Sequence, residues 1–272
     1  MADPCVFRLM DGEVVQTLIL AHVDDLLIVS SYEDCMLLRD QLSKFFPVKD
    51  LGSFNCYMGC KFERDGRGGT LKLSQGGFAA SLVKKFDVTS TSDVPASPSV
   101  ELMPRAADES ATTEPYREAV GSLMWLANTT RPDIADAVRS VARHCHDPGV
   151  SHWKAVRKIL SYIAGTVDLG LVYKRGSSNV LTVYADSSYA PKATDRRSVS
   201  GGLVMFCGAA IAWLSRTQRI VSLSSTEAEY IAVSDVLRET IFFARSLSVY
   251  STSRGDQAHE GFRGQSGGHY AC

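Results

Sequence analysis

The sequence has no long apolar run free of charge, no paired-cysteine spacing, no internal repeat and almost no net charge. Each absence removes a class of function. Residues 14–30 have about the length of a membrane span. Asp24 and Asp25 sit at the centre of that run, and each would cost about 2.5–3.5 kcal/mol there. No membrane segment is expected. The seven cysteines are odd in number and scattered, and no secretory signal precedes them. They read as reduced thiols of an intracellular protein rather than a disulfide framework. Arg143-His144-Cys145-His146 crowds metal-ligand types together. Consecutive helical side chains diverge, however, and no second ligand group lies at a zinc-like spacing, so the segment is read as structural. A net charge of -1 over 272 residues excludes a chain-wide basic footprint. Charge is nevertheless uneven: residues 119–220 hold 13 Lys/Arg against 6 Asp/Glu, a local excess of +7. Such an excess points to an anionic partner such as nucleic acid, or to a solvated basic face.

What is present reads as α+β. Residues 14–21 and 26–30 are short, β-branched and apolar, and predict two strands joined by a tight turn at His22-Val23-Asp24-Asp25. A helix is expected over 31–46, with Ser31 as its N-cap and an apolar stripe of Leu38, Leu42 and Phe45 or Phe46. A second hairpin is expected from 57–63 and 70–73, with a glycine-rich tip, then a helix over 75–86. Residues 88–115 are rich in Ser, Thr, Pro and acids and predict a loop or linker. Helices are expected over 116–128, 132–146 and 151–164, with Pro132 in a first turn and Pro148-Gly149 as a stop. From Gly170 the period becomes that of strands: 181–185, 202–207, 211–214 and 220–223. A long amphipathic helix is expected over 225–249. Residues 251–272 contain five glycines and only Phe262 and Tyr270 as large apolar groups. Too little surface can be buried there to offset ordering, and disorder is expected.

The chemistry starts from Asp24-Asp25. Adjacent carboxylates repel, and burying either one unpaired is costly. A hairpin tip resolves the conflict by exposing both at a cleft. Paired carboxylates at a fixed tip are what two-metal phosphoryl-transfer enzymes use to hold two Mg²⁺ ions about 3.5–4 Å apart. The triplet Val23-Asp24-Asp25 alone is equally an ordinary polar turn. Farther on, Asp186 closes an apolar strand, and Glu227 and Glu229 sit in the first turns of the long helix. Two residues apart, these glutamates project about 200° from each other and cannot share one site. Glu227 suits the positive end of the helix. Arg196 and Arg197 suit bidentate anion binding or a plain surface role. Trp125, Trp153 and Trp213 are read as core rather than as base-stacking platforms.

Several blocks occur in order: "LILAHVDDLLIVS", "KDLGSFNCYMGCKFER", "LKLSQGGFAASLVKKF", "YREAVGSLMWLANTTRPDIADAV", "YADSSYA" and "DRRSVSGGLVMFCGAAIAWLS", closing with "STEAEYIA". Together they resemble copia-type LTR retrotransposon Pol polyproteins over roughly residues 3–249. The resemblance implies partial reverse-transcriptase palm hairpins and the start of the thumb over 1–87, with a linker at 88–115. It implies a helical thumb and connection over 116–175, and a truncated ribonuclease H-like mixed α/β domain over 176–250. A non-native tail would occupy 251–272. The implied parent activity is RNA-directed DNA synthesis and cleavage of RNA in RNA–DNA hybrids, with Mg²⁺ or Mn²⁺. Implied partners are an RNA template, RNA–DNA hybrid, DNA and other polyprotein segments. The implied setting is a cytoplasmic particle and the nucleus, in the DNA-integration cycle of such an element. Asp24 then matches the catalytic metal ligand and Asp25 its support. Asp186 and Glu229 match the first two acidic ligands of the ribonuclease H site.

The sequence departs from the family in three places. A third palm carboxylate and the fingers would precede Met1. His22 stands where the family has an aromatic, most often tyrosine. The ribonuclease H resemblance stops near Tyr250, leaving Asp256 as the nearest third acid. The expectation is therefore a fragment with incomplete catalytic sites. The alternatives are a non-catalytic nucleic-acid-binding protein and a product of a degenerate element without function.

Overall fold

The computed structural model describes residues 3–12, 14–65, 69–97, 102–177, 180–191 and 195–250. The tail 251–272, with Asp256 and the disorder expected there, lies outside the described residues, as does the centre of the second turn at 66–68. The fold is mixed, with ten strands and six α-helices in the described residues. By Cα packing the chain divides into two units, residues 1–57 with the segment from Thr240, and residues 58–239.

In the first unit β1 (Val6–Asp11), β2 (Val14–His22) and β3 (Asp25–Val29) form an antiparallel sheet in that order. β1 was not anticipated from the sequence. α1 (Tyr32–Leu42) follows, and a two-residue strand β4 (Cys56–Tyr57) closes the segment. Ser31 caps α1 as expected. Its hydroxyl accepts the Asp34 backbone N–H at 3.1 Å and donates to Asp34 Oδ2 at 2.8 Å. Ser30 joins that cap to the sheet, bonding Thr17 Oγ1 at 2.8 Å and donating to the Gln16 carbonyl at 3.0 Å. Both hydroxyls are buried, and each finds a partner, as buried polar groups must. The helix stops four residues earlier than expected. The Ser43 hydroxyl turns back onto the Arg39 carbonyl at 2.8 Å, and Phe45 and Phe46 lie beyond the helix, exposed. Cys35, fully buried, takes the inward position.

The second unit is built on a helical core. It contains β5 (Cys60–Asp65), β6 (Thr70–Ser74), α2 (Gly76–Lys85), α3 (Tyr116–Thr129), a 3-10 turn (Pro132–Ile134), α4 (Ala135–Ala142) and α5 (Val150–Gly165). β7 (Gly170–Lys174), β8 (Thr182–Ser188), β9 (Val199–Phe206), β10 (Ala209–Thr217) and most of α6 (Ser225–Tyr250) follow. Ala79 and Leu82 of α2 share one buried cluster with Leu123 and Leu126 of α3, Val138 and Val141 of α4, and Ile159, Leu160 and Ile163 of α5. Each fully buried Leu or Ile contributes about 1.5–3 kcal/mol. Pro132 opens the 3-10 turn, so the expected helix over 132–146 is shorter and begins tighter.

Residues 88–115, read as a loop or linker, carry no helix or named strand among those described. α2 on one side and α3–α5 on the other share the cluster just named. The connecting residues are fixed to the helices: Ser92 N–H donates to the Ser161 carbonyl at 3.1 Å, Thr112 N–H to the Pro148 carbonyl at 2.9 Å, and Arg105 Nε to Asp147 at 2.9 Å. His152, fully buried, accepts the Gly149 N–H on Nδ1 at 2.9 Å and bonds the Met103 carbonyl through Nε2 at 2.8 Å. Arg131 is also buried. Its guanidinium is paired with Asp133 at 2.8 Å, donates to the Thr166 carbonyl and hydroxyl at 2.9 and 2.7 Å, and lies over the Tyr162 ring.

β7 pairs antiparallel with β6, Ser74 opposite Gly170, and so closes the helical segment on itself. The remaining strands form a separate antiparallel sheet in the order β10-β9-β8. Residues 220–223, read as a strand, are irregular and lead into α6. Ser224 caps that helix by accepting the Glu227 N–H at 3.1 Å.

Candidate functional site

Two sets of carboxylates were expected, one in each unit. In the first, the β2–β3 ladder sets His22 opposite Asp25, leaving Val23 and Asp24 as a two-residue turn. Asp24 and Asp25 are both exposed, so neither carboxylate is buried. The strands beneath fix the tip through Thr17, Ser30 and Asp34. Val23 has φ +56°, a left-handed conformation unfavourable to a β-branched residue. Tyr57 stands beside this tip. Its ring meets His22 edge-on at 6.5 Å and Phe54 at 6.1 Å. Burial, and then the negative charge of Asp25, push the Tyr57 phenol above its ordinary pKa. Sequence reasoning assigned Tyr57 only to a strand. A contact between residues 25 and 57 has no local signal.

The second set lies on the β10-β9-β8 sheet. Asp186 is opposite Gly201, and Gly201 is opposite Ser215. Cross-strand partners project on one face and their neighbours in sequence on the other. Ser215 donates to Asp136 at 2.9 Å and accepts from Arg139 Nε at 3.0 Å, so the Asp186 face is turned toward α4. The opposite face carries α6. There Ser200 donates to Asp235 at 3.0 Å, and a Cβ on Gly202 would collide with Val236. Only glycine allows α6 this close. Register thus puts Asp186 on one face and Ser200 and Gly202, which meet Asp235 and Val236 of α6, on the other; Glu229 lies nearer the start of that helix. Glu227 is engaged elsewhere: its carboxylate accepts the Leu223 N–H at 2.6 Å, completing the cap of α6. Among the described residues no three His, Cys, Asp or Glu side chains are grouped to hold a metal ion. Asp24 with Asp25, or Asp186 by itself, supplies fewer ligands than a two-metal centre needs.

The basic face is better assembled. Arg196 and Arg197 are exposed, in the connection between β8 and β9. Between them and α4 lies Asp195. Arg143 Nη2 reaches Asp195 Oδ2 at 2.6 Å, and the Arg197 backbone N–H reaches Oδ1 at 3.2 Å. Burial pushes the Asp195 carboxyl up, but the Arg197 amide and the Arg143 guanidinium outweigh it and hold the group below its ordinary value. Arg143 also lines an open cleft of about 370 Å³ with Arg139, Met124 and Trp213. Trp213 donates to the Ala127 carbonyl at 2.6 Å and Trp153 packs on Phe86, but Trp125 is 41% exposed, contrary to the expectation that all three are core. Arg131, counted in the basic excess over residues 119–220, is buried and paired with Asp133, so it adds nothing to this face.

The chain is similar to the retrovirus-related Pol polyprotein from transposon TNT 1-94 of Nicotiana tabacum, with 37% identity over 256 residues, covering 90% of this chain and 19% of that protein. It is 33% identical over 244 residues to the corresponding polyprotein from transposon RE2 of Arabidopsis thaliana, covering 88% of this chain and 16% of that one. A putative transposon Ty5-1 protein of Saccharomyces cerevisiae is 30% identical over 224 residues, covering 81% of this chain and 73% of the relative. No protein-family profile and no solved structure matches the chain. The chain thus spans about a fifth of the length of the polyproteins it matches. On this similarity the chain belongs to the retrovirus-related Pol polyproteins of copia-type transposons.

Proposed function

We propose that the chain derives from the end of a reverse transcriptase and the start of its ribonuclease H domain, and that it binds nucleic acid without catalysing either reaction. The parent chemistry would be RNA-directed DNA synthesis and hybrid cleavage, each with Mg²⁺ or Mn²⁺ held by carboxylates. The observation that carries the reading is the register of β8 on β9. It puts Asp186 on the face turned toward α4 and Ser200 and Gly202 on the face that meets α6, while Arg143 pairs with Asp195 beside the exposed Arg196 and Arg197. Two carboxylates at the β2–β3 tip support the reverse-transcriptase origin. The exposed arginines support a phosphate-contacting face, reading charge rather than sequence. Three assays on the purified chain test this. Primer extension on an RNA template and cleavage of an RNA–DNA hybrid should both stay at background with Mg²⁺. Hybrid binding should weaken steeply with salt. Mg²⁺-dependent extension abolished by Asp24→Asn, or cleavage abolished by Asp186→Asn, would show a catalytic chain. Binding indifferent to salt would remove the phosphate-contacting face.

A further inference from the structure

We propose that the Asp195 carboxylate occupies an anion seat built for a nucleic-acid phosphate, and that a phosphodiester must displace it to bind. The inference rests on the nucleic-acid reading above and adds the site and its internal competitor. Two donors converge on this one carboxylate. The Arg143 guanidinium takes Oδ2 at 2.6 Å and the Arg197 amide takes Oδ1 at 3.2 Å. The Arg197 amide is presented by an unusual backbone: Arg196, between acceptor and donor, has φ +49°. Such a conformation is costly for a side chain with a Cβ, and here it folds the amide back onto the acid two residues earlier. A guanidinium and a backbone N–H on neighbouring oxygens are also what a phosphate accepts.

The seat is accessible. The side chains of Arg143 and Asp195 are 29% and 31% exposed, and Arg196 and Arg197 flank them in solvent. Arg143 stands at the rim of the cleft lined by Met124 and Trp213, which offers an apolar wall to the sugar or base attached to a bound phosphate. The arithmetic of charge favours exchange. With Asp195 in place, one of the three guanidiniums is neutralised. With the carboxylate swung out, the Arg143 guanidinium and the Arg197 amide are free for the incoming anion, and two exposed arginines stand next to them in the chain. A solvent-exposed pair such as this is weak, so a polyanion making several contacts can open it.

The test is equilibrium binding of a fluorescein-labelled RNA–DNA hybrid at low salt. Asp195→Asn removes the competitor and should tighten binding about five- to tenfold. The plot of log affinity against log salt should steepen by about one contact. Asp195→Glu, which keeps the charge, should remain near the parent chain. Arg143→Gln added to Asp195→Asn should erase the gain. Glu118→Gln breaks the Lys85–Glu118 pair elsewhere in the same unit and controls for bulk charge. An equal gain from Glu118→Gln, no gain from Asp195→Asn, or a gain that survives Arg143→Gln overturns the seat while leaving nucleic-acid binding intact. Absence of binding by both the parent and Asp195→Asn overturns both readings. A measurement on the unaltered chain guards against misfolded variants: saturation with hybrid should move the Arg197 amide resonance, and an unmoved resonance overturns the exchange.

Discussion

Val23 is a β-branched residue held at φ +56° in a two-residue turn, where Asp24 beside it keeps an ordinary negative φ. Positive φ at the first of two central positions is a demand that glycine meets without strain. Val23→Gly should therefore stabilise the first unit by about 1 kcal/mol, the low end of the cost of such a conformation. A denaturant titration followed by β2–β3 signals checks the sign, and a loss of stability would refute the strain. The tyrosines give a second prediction. Burial raises the Tyr173 phenol to about 12 and pushes Tyr116 up as well, each donating to a carbonyl, Ala210 at 2.8 Å and Val141 at 2.8 Å. A raised folded-state pKa means the folded protein holds its proton longer than the unfolded chain. The stabilisation is complete below pH 10 and lost as pH rises toward 12. Unfolding experiments across that window should show falling stability, with a shallower fall in Tyr173→Phe. A flat profile would contradict the burial of both phenols. At this scale the sequence was partly legible. Asp24 and Asp25 announced an exposed tip because no apolar run accommodates them otherwise. The inward course of Arg131 was not legible, because charge alone gives no direction and its partner Thr166 is distant in sequence.

At the scale of elements, hairpins and helix caps followed from local chemistry: Ser31 before α1, Pro132 in a first turn, and short β-branched apolar runs in β2 and β3. Phe45 and Phe46 extended the apolar period of α1 beyond its end, because nothing in a helical pattern records a serine hydroxyl returning to Arg39. The pairing of β7 with β6 had no signature at all, since the partners are separated by the whole helical segment. Packing of elements yields two predictions. Arg131→Met strands Asp133 and the Thr166 groups that the guanidinium now satisfies, and should cost about 3 kcal/mol. Thermal unfolding of the second unit reads this directly, and a neutral effect would mean the clamp is dispensable. Gly202→Ala puts a methyl where Val236 sits. Overpacking of this kind costs about 1–3 kcal/mol. The loss should appear first in the exchange of α6 amides, and unchanged protection there would show that the helix can step back freely.

For the molecule as a whole, the distribution of burial is uneven. The shared helical cluster belongs entirely to the second unit. Among the described residues of the first, Ile28 and Cys35 are the buried apolar side chains, while Phe7, Leu9, Leu20, Leu26 and Val29 are exposed on its sheet. Local stability follows buried apolar contact. Hydrogen exchange should therefore be slowest in α3 and α5 and fastest in β1–β3, and protection of β1–β3 equal to that of α5 would contradict this. The family could be read from ordered blocks of sequence. The arrangement of Asp186 and Glu229 could not, because the face on which a strand residue lies is decided by a partner strand and not by its own neighbours.

The β6–β7 pairing makes the helical segment an excursion that begins and ends at one place in a sheet. Its two ends, Ser74 and Gly170, are cross-strand neighbours, so residues 75–169 leave and rejoin the sheet at a single doorway about 5 Å wide. Within this sheet β6 and β7 would keep their register whatever the length of chain between them, although Asp136, Arg139 and Ala127 also bond β10. The pairing equally permits a foreign domain with adjacent termini to be inserted there without stretching a strand. Changes in length within the helical segment therefore need not disturb the β6–β7 register.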